Sequence, residues 1–176
     1  VYLGRLIELK GIMLLMDVIK NIKTDIPFHV SLYGKGELEN EIKQYIKKYK
    51  LENTVALKGN IDYSQVIGVY QNADIFVHPT LRDSAGTVFI EAIANKLPIV
   101  ALDQSFAHDL SEHECGLFVN TKQSKEEIIN EFAGKLKELI ENYDLRVKLG
   151  QNGYNYANTY LTMDYKFDTV YGKLIK

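Results

Sequence analysis

The sequence predicts an α/β domain: a doubly wound parallel sheet covered by helices on both faces, three layers in all. Three observations carry that prediction. Short apolar runs alternate along the chain with longer segments whose apolar residues recur at helical spacing. No pair of runs is separated by a hairpin signal, so the strands are expected to be joined by crossovers and to lie parallel. With 176 residues, 46% of them hydrophobic and 25% charged, the chain suits one sizeable core and is too short for two, which makes residues 1–176 a single domain.

In chain order, Val1 to Gly4 reads as the first strand. Past the turn Arg5 to Gly11, an amphipathic helix runs from about Ile12 to Ile22, with Leu15, Met16, Val18, Ile19 and Ile22 as its apolar stripe. Pro27 opens a second strand, Phe28 to Tyr33. Gly34-Lys35-Gly36 then turns the chain into a helix from about Glu37 to Tyr49, with Leu38, Ile42, Tyr45, Ile46 and Tyr49 at helical spacing. Thr54 to Leu57 is a third strand, and Lys58-Gly59-Asn60 leads into a helix from about Tyr63 to Gln71. Asp74 to His78 is the fourth strand, ended by Pro79, and Leu97 to Leu102 the fifth. Between these two, Thr87 to Asn95 carries apolar residues at helical spacing. Ala107 to His113 is a short helix and Gly116 to Val119 the sixth strand. Ser124-Lys125-Glu126-Glu127 is a capping box that opens a long helix, whose buried stripe is Ile128, Ile129, Phe132, Leu136, Leu139 and Ile140. Asp144 is the expected cap of a further helix to about Asn158, and Thr162 to Lys176 carries a weaker helical pattern.

The formal net charge of −2 argues against a general binder of nucleic acid or of anionic membranes, while leaving room for a local basic pocket that holds a phosphate. Cys115 is the only cysteine, which rules out an internal disulfide and a Cys-based zinc cluster and points to a reducing compartment. Beside Gly116 in an apolar run, it reads as core rather than as a nucleophile. No run approaches the ~18 apolar residues that span a bilayer, and no signal peptide is visible, so a cytoplasmic domain is expected. The chain starts inside the apolar run Val1-Tyr2-Leu3, which leads to the expectation that a segment precedes it.

Open α/β sheets bind ligands at the carboxyl ends of their strands. That rim collects Arg5, Lys10, Gly34, Gly36, Gly59, His78 and the turn Asp83-Ser84-Ala85-Gly86-Thr87-Val88-Phe89-Ile90-Glu91. Cations there can pair with a phosphate. Gly86 allows a close approach, and the helix that follows offers free N–H groups and a positive dipole end to an anion. Asp83 before the turn and Glu91 within the helix can both face one bound molecule. Each feature has a plainer reading: solvated loop charges for Arg5 and Lys10, a tight turn for Gly34-x-Gly36, a structural histidine for His78, and an acidic loop before an ordinary helix for Asp83 to Glu91.

The order of the motifs resembles one family. The motifs are Val1-Tyr2-Leu3-Gly4-Arg5-Leu6 with Lys10-Gly11; Gly34-x-Gly36; Leu57-Lys58-Gly59-Asn60-Ile61; Ala73-Asp74-Ile75-Phe76-Val77-His78-Pro79-Thr80; Asp83-x7-Glu91 leading into Leu97-Pro98-Ile99-Val100; and Cys115-Gly116-Leu117-Phe118-Val119. Together they look like the C-terminal, nucleotide-sugar-binding half of glycosyltransferase family 4 (group 1) enzymes, which have the Rossmann-like GT-B fold. The resemblance covers nearly the whole chain. It implies that Arg5 and Lys10 hold the donor diphosphate without a metal or other cofactor, that Glu91 accepts hydrogen bonds from the nucleotide ribose, and that Asp83 contacts the transferred sugar. It further implies that backbone amides near Ser84, Ala85, Gly86, Thr87 and Val88 touch sugar and diphosphate, and that Ile61 lies near the base. Arg5, Lys10 and Asp83 would then carry the catalysis.

The implied reaction is retaining transfer of a hexosyl group from a nucleoside diphosphate sugar to an acceptor hydroxyl, in polysaccharide biosynthesis. The acceptor glycan or lipid-linked sugar would be held by an N-terminal domain that this chain does not contain. Any contact with the membrane, at its inner face, would come through those missing parts. Two departures stand out: Asp83 replaces the family's usual Glu and is followed by Ser84-Ala85-Gly86, and Asn95-Lys96 replaces a small residue and Gly. The shorter carboxylate leaves the donor sugar unassigned, whereas the lysine is expected to alter only a helix end. A nucleotide-sugar epimerase of similar fold and a non-catalytic nucleotide-binding module are the alternatives.

Overall fold

The computed structural model describes residues 1–82 and 86–162. Six strands alternate with helices: β1 Tyr2–Leu3, α1 Ile12–Asn21, β2 Val30–Tyr33, α2 Glu39–Tyr49, β3 Val55–Gly59, α3 Tyr63–Gln71, β4 Phe76–His78, α4 Thr87–Ala94, β5 Ile99–Leu102, α5 Phe106–Glu112, β6 Gly116–Val119, α6 Lys125–Glu141 and α7 Tyr143–Tyr160. The strands form two parallel ladders, β1-β2-β3 and β4-β5-β6. The ladders meet at Val1, whose N–H donates to the Ile75 carbonyl at 2.7 Å and whose carbonyl accepts from Val77 N–H at 2.9 Å. Across that seam the order is β3-β2-β1-β4-β5-β6, so the direction of winding reverses between β1 and β4, where doubly wound sheets leave a crevice for ligands.

Alternation along the buried strands feeds two cores. In β5, Val100 and Leu102 enter one core, and Ile99 and Ala101 the other. Tyr2 and Val77 go to the first side, Leu3 and Phe76 to the second. Helices α1, α2 and α6 close the first core through Leu15, Met16, Ile42, Ile46, Phe132 and Leu136, while α3, α4, α5 and α7 close the second through Tyr70, Phe89, Ile93, Leu110 and Ala157. These are the three expected layers.

Element ends differ from expectation where a partner is lacking. The second strand begins at Val30 rather than Phe28, because the β3 ladder starts with Val30 opposite Val55. The last helix is capped by Asn142 rather than Asp144. The Asn142 side chain accepts from Leu145 N–H at 3.0 Å while its backbone N–H closes α6 on Glu138, so one residue ends one helix and opens the next. Asp144 instead lies in the first turn, where the helix dipole favours its charge. The Ser124–Glu127 capping box forms as expected, with Ser124 N–H donating to Glu127 at 2.8 Å. Lys96 takes the left-handed conformation just past α4 (φ 61°), and Leu97 N–H returns to the Ala92 carbonyl at 3.1 Å, so the lysine closes the helix end; its ammonium also lies over the Tyr154 ring of α7 at 4.7 Å. Cys115 is buried, and burial pushes its thiol up to about 11, as suits a core residue. The helical pattern expected beyond Thr162 lies outside the described residues.

Candidate functional site

The carboxyl rim is assembled by backbone hydrogen bonds between the loops that follow successive strands. Gly4 N–H donates to Tyr33 at 3.0 Å, Leu6 N–H to Lys35 at 2.9 Å, Leu38 N–H to Leu6 at 3.1 Å, and Gly34 N–H to Gly59 at 2.8 Å. These bonds stitch the ends of β1, β2 and β3 together. A Cβ on Gly36 would collide with the Leu6 backbone, so the Gly34-x-Gly36 turn serves this loop-on-loop packing.

A second set of bonds ties the loop after β1 to the loop after β4. Glu8–Lys10 forms one 3-10 turn, and the Leu9 carbonyl at its centre accepts from Leu81 N–H at 3.0 Å and from the Thr80 hydroxyl at 3.4 Å. Gly11 closes the turn in the left-handed conformation (φ 66°, ψ 21°), and a Cβ there would collide with the Pro79 carbonyl oxygen. Gln104, past β5, donates to the Thr80 carbonyl at 2.6 Å. Lys10 therefore sits, half-buried, on a turn clamped to the segment that leads toward α4. Arg5 is exposed on the same loop, one residue past Gly4.

Gly86 opens α4 (φ 62°, ψ 8°) with the Phe106 ring packed where its side chain would be. Among the described residues no side chain caps this helix, and its first turn holds no acidic residue. The N–H groups of Thr87 and Val88 thus lie at an uncapped positive end, which favours an anion. Thr87 is exposed and Val88 half-buried. Asp83, Ser84 and Ala85 lie outside the described residues.

Glu91 is half-buried one turn into α4 and faces α3. Its Oε2 accepts from the Tyr70 hydroxyl at 3.0 Å, and the Tyr63 hydroxyl lies 3.5 Å from its Oε1. Burial, and then the Glu91 charge, raise the Tyr70 pKa, so the phenol remains a donor. Ile61 is half-buried and packs on the second core, as do Val66 and Val69. His78 is 1% exposed, stacked between Tyr2 and Phe76 at 5.3 and 5.7 Å with Phe89 edge-on at 5.2 Å, a packed aromatic position that fits the structural reading.

The arrangement suits a molecule with an anionic centre and a hydroxyl-bearing end: cations and an uncapped helix for the former, a carboxylate for the latter. Of the residues named from the sequence, Arg5, Lys10, Gly86 and Glu91 stand on this rim, and the contacts of Tyr63, Tyr70, Gln104 and Phe106 with it, which arise across the fold, were not read from the sequence. Among the described residues no group of three His, Cys, Asp or Glu side chains could hold a metal ion, and no helix is long and apolar enough to cross a membrane. A cavity of about 680 Å³ opens at the opposite, amino ends of the strands, lined by Leu15, Ile19, Phe28, Val30, Ile75 and Val77 among others. Arg146 on its wall donates to the Leu139 and Ile140 carbonyls at 2.6 and 3.1 Å.

The family model described as Glycosyl transferases group 1 matches residues 1–156. The capsular polysaccharide biosynthesis glycosyltransferase CapM of Staphylococcus aureus is 32% identical over 157 residues, 86% of this chain and 39% of that protein. An uncharacterized glycosyltransferase of Methanocaldococcus jannaschii is 26% identical over 159 residues, 90% of this chain and 43% of that protein. The chain thus spans less than half the length of these relatives. Among solved structures, the C-terminal domain of a group 1 glycosyl transferase from Francisella tularensis matches with TM-score 0.76 at 23% identity, covering 92% of this chain and 85% of that one. HepE of Anabaena, solved with UDP and glucose, matches with TM-score 0.81 at 20% identity, over 99% of this chain and 47% of that one. These structural likenesses are likenesses of fold. With its Rossmann-like order of strands and a family match across 1–156, the chain belongs to the group 1 glycosyl transferases, as the C-terminal half of a GT-B fold.

Proposed function

We propose that this chain is the donor-binding domain of a retaining glycosyltransferase: it grips a nucleoside diphosphate sugar whose glycosyl group passes to an acceptor hydroxyl. The observation that carries the reading is the clamping of the Lys10 turn, through Leu9, onto the segment leading to the uncapped α4, one turn before Glu91. Two cations and a helix end suit two phosphates with no metal or other cofactor, and a carboxylate suits a ribose diol. Neighbours of the same fold solved in complex with UDP support a nucleotide ligand. CapM supports polysaccharide biosynthesis as the setting, and the reading takes a glycan or lipid-linked sugar as acceptor.

When the bond between sugar and diphosphate breaks, negative charge grows on the leaving diphosphate. Arg5, Lys10 and the amides at Thr87 and Val88 stabilise it, each well-placed donor contributing roughly 3 kcal/mol to lowering the barrier. Glu91 anchors the ribose and so fixes the register of the diphosphate on the rim. Asp83 takes the hydroxyls of the transferred hexosyl group, as the resemblance implies. The acceptor is held by the part of the enzyme that makes up the rest of the relatives' length, so this chain alone binds donor without turnover.

Calorimetry with uridine, guanosine and adenosine diphosphates and their glucose esters tests the reading, which predicts sub-millimolar binding for at least one. Lys10→Ala is expected to weaken diphosphate binding much more than nucleoside binding, and Glu91→Ala to do the reverse. Equal losses for both ligands would contradict the assignment.

A further inference from the structure

The second core contains a hydroxyl that packing alone does not explain. Tyr70 is completely buried in the last turns of α3, set edge-on to Phe76 at 5.7 Å, among apolar side chains where a phenylalanine would fill the same space. A buried hydroxyl is costly unless bonded. Its nearest acceptor is Glu91 Oε2 at 3.0 Å, ahead of the Val88 carbonyl at 3.3 Å, and the charged oxygen is the stronger partner. Tyr63 lies seven residues earlier, on the same face of α3, with the residue 79% exposed and its hydroxyl 3.5 Å from Glu91 Oε1. Each carboxylate oxygen thus faces one phenol from the neighbouring helix.

We propose that Tyr70 and Tyr63 form a bracket that presets the Glu91 carboxylate to receive the ribose hydroxyls of a nucleoside diphosphate, an inference that rests on the donor-binding reading above. A glutamate on α4 leans toward the helix start, the end where the diphosphate docks. A carboxylate offers about four acceptor positions; two phenols occupy two, and two remain for a ribose diol. Left alone, the long side chain would lose rotamer freedom on gripping the ribose. The bracket takes that loss during folding, so Glu91 meets the nucleotide already oriented. Tyr70 is a positioning residue, acting through Glu91, and Tyr63 is the weaker, solvent-facing arm.

The readout is the ratio of affinities for a ribonucleoside diphosphate and its 2′-deoxy counterpart, measured calorimetrically for the uridine, guanosine and adenosine pairs on this chain and on Glu91→Gln, Tyr70→Phe and Tyr63→Phe. The unsubstituted protein is expected to favour the ribo form about tenfold. Tyr70→Phe is expected to compress that ratio to about threefold or less while leaving affinity for the deoxy form unchanged, and Tyr63→Phe to compress it partially. If Tyr70→Phe weakens both forms equally, or neither, while Glu91→Gln abolishes the preference, then Tyr70 merely joins α3 to α4 and the bracket is overturned. Should Tyr70→Phe not fold, Tyr63→Phe decides, since its ring is exposed: a compressed ratio supports the bracket and an unchanged one overturns it. If no diphosphate binds, or if Glu91→Gln leaves the preference intact, the donor-binding reading falls and takes the bracket with it.

Discussion

Replacing Gly11 by alanine should damage this protein through one identifiable contact, and Gly59 supplies the control. Both glycines are left-handed, with φ of 66° and 71°. A Cβ on Gly59 would meet nothing within 4 Å, whereas one on Gly11 would run into the Pro79 carbonyl. An L-residue in that conformation costs roughly 1–2 kcal/mol, offset by about 0.4–1 kcal/mol of lost freedom in the unfolded chain, so Gly59→Ala should cost about 1 kcal/mol. Gly11→Ala incurs the same cost plus overpacking of about 1–3 kcal/mol. Pushing the 3-10 turn away also strains the bonds from Leu81 and Thr80 to the Leu9 carbonyl, each worth about 1 kcal/mol. The expected total is about 3–4 kcal/mol. Urea unfolding followed by far-ultraviolet circular dichroism measures both variants, and the difference between them isolates the collision. Equal losses, within about 0.5 kcal/mol, would refute the claim that the Lys10 turn is pressed against the β4 edge.

Ser124→Ala should cost about 1 kcal/mol in the same unfolding assay, because it removes the acceptor for Glu127 N–H at the start of α6; an unchanged midpoint would count against the cap. Cys115 has a folded pKa of about 11 against an ordinary 9.0, raised by burial. The unfolded chain therefore loses its thiol proton first, and stability present below pH 9 declines as the pH climbs from 9 toward 11, by about 1–2 kcal/mol from this group. Cys115→Ala should flatten that part of the pH–stability curve, and an identical curve in the variant would show that the thiol contributes nothing there.

Much of the fold was legible because the apolar spacing is regular. The stripe of α6 and the capping box before it follow from local chemistry: the box forms as read, and of the stripe Phe132, Leu136 and Leu139 are buried while Ile128, Ile129 and Ile140 are half-buried. The motifs from Gly4 to Glu91 were likewise enough to put the cations, the Gly86 turn and Glu91 on one rim. Asn142 and Asp144 can both cap a helix, and only the point at which α6 ends selects Asn142. Gly34-x-Gly36 reads from the sequence as a tight turn, and the collision that a Cβ on Gly36 would make with Leu6 belongs to another loop. Nothing among the neighbours of Tyr70 in sequence points to a carboxylate 21 residues away.

The sequence by itself determined which segments are strands and helices and which residue types stand at their ends, because a side chain's face follows from its spacing along the chain and such spacing is local. The tertiary structure alone decided the neighbours. It set β1 beside β4, laid the Leu9 carbonyl against Thr80 across 71 residues, and turned the phenols of α3 onto Glu91. Those juxtapositions depend on strand order and on how whole layers pack, and no short stretch of residues contains that information.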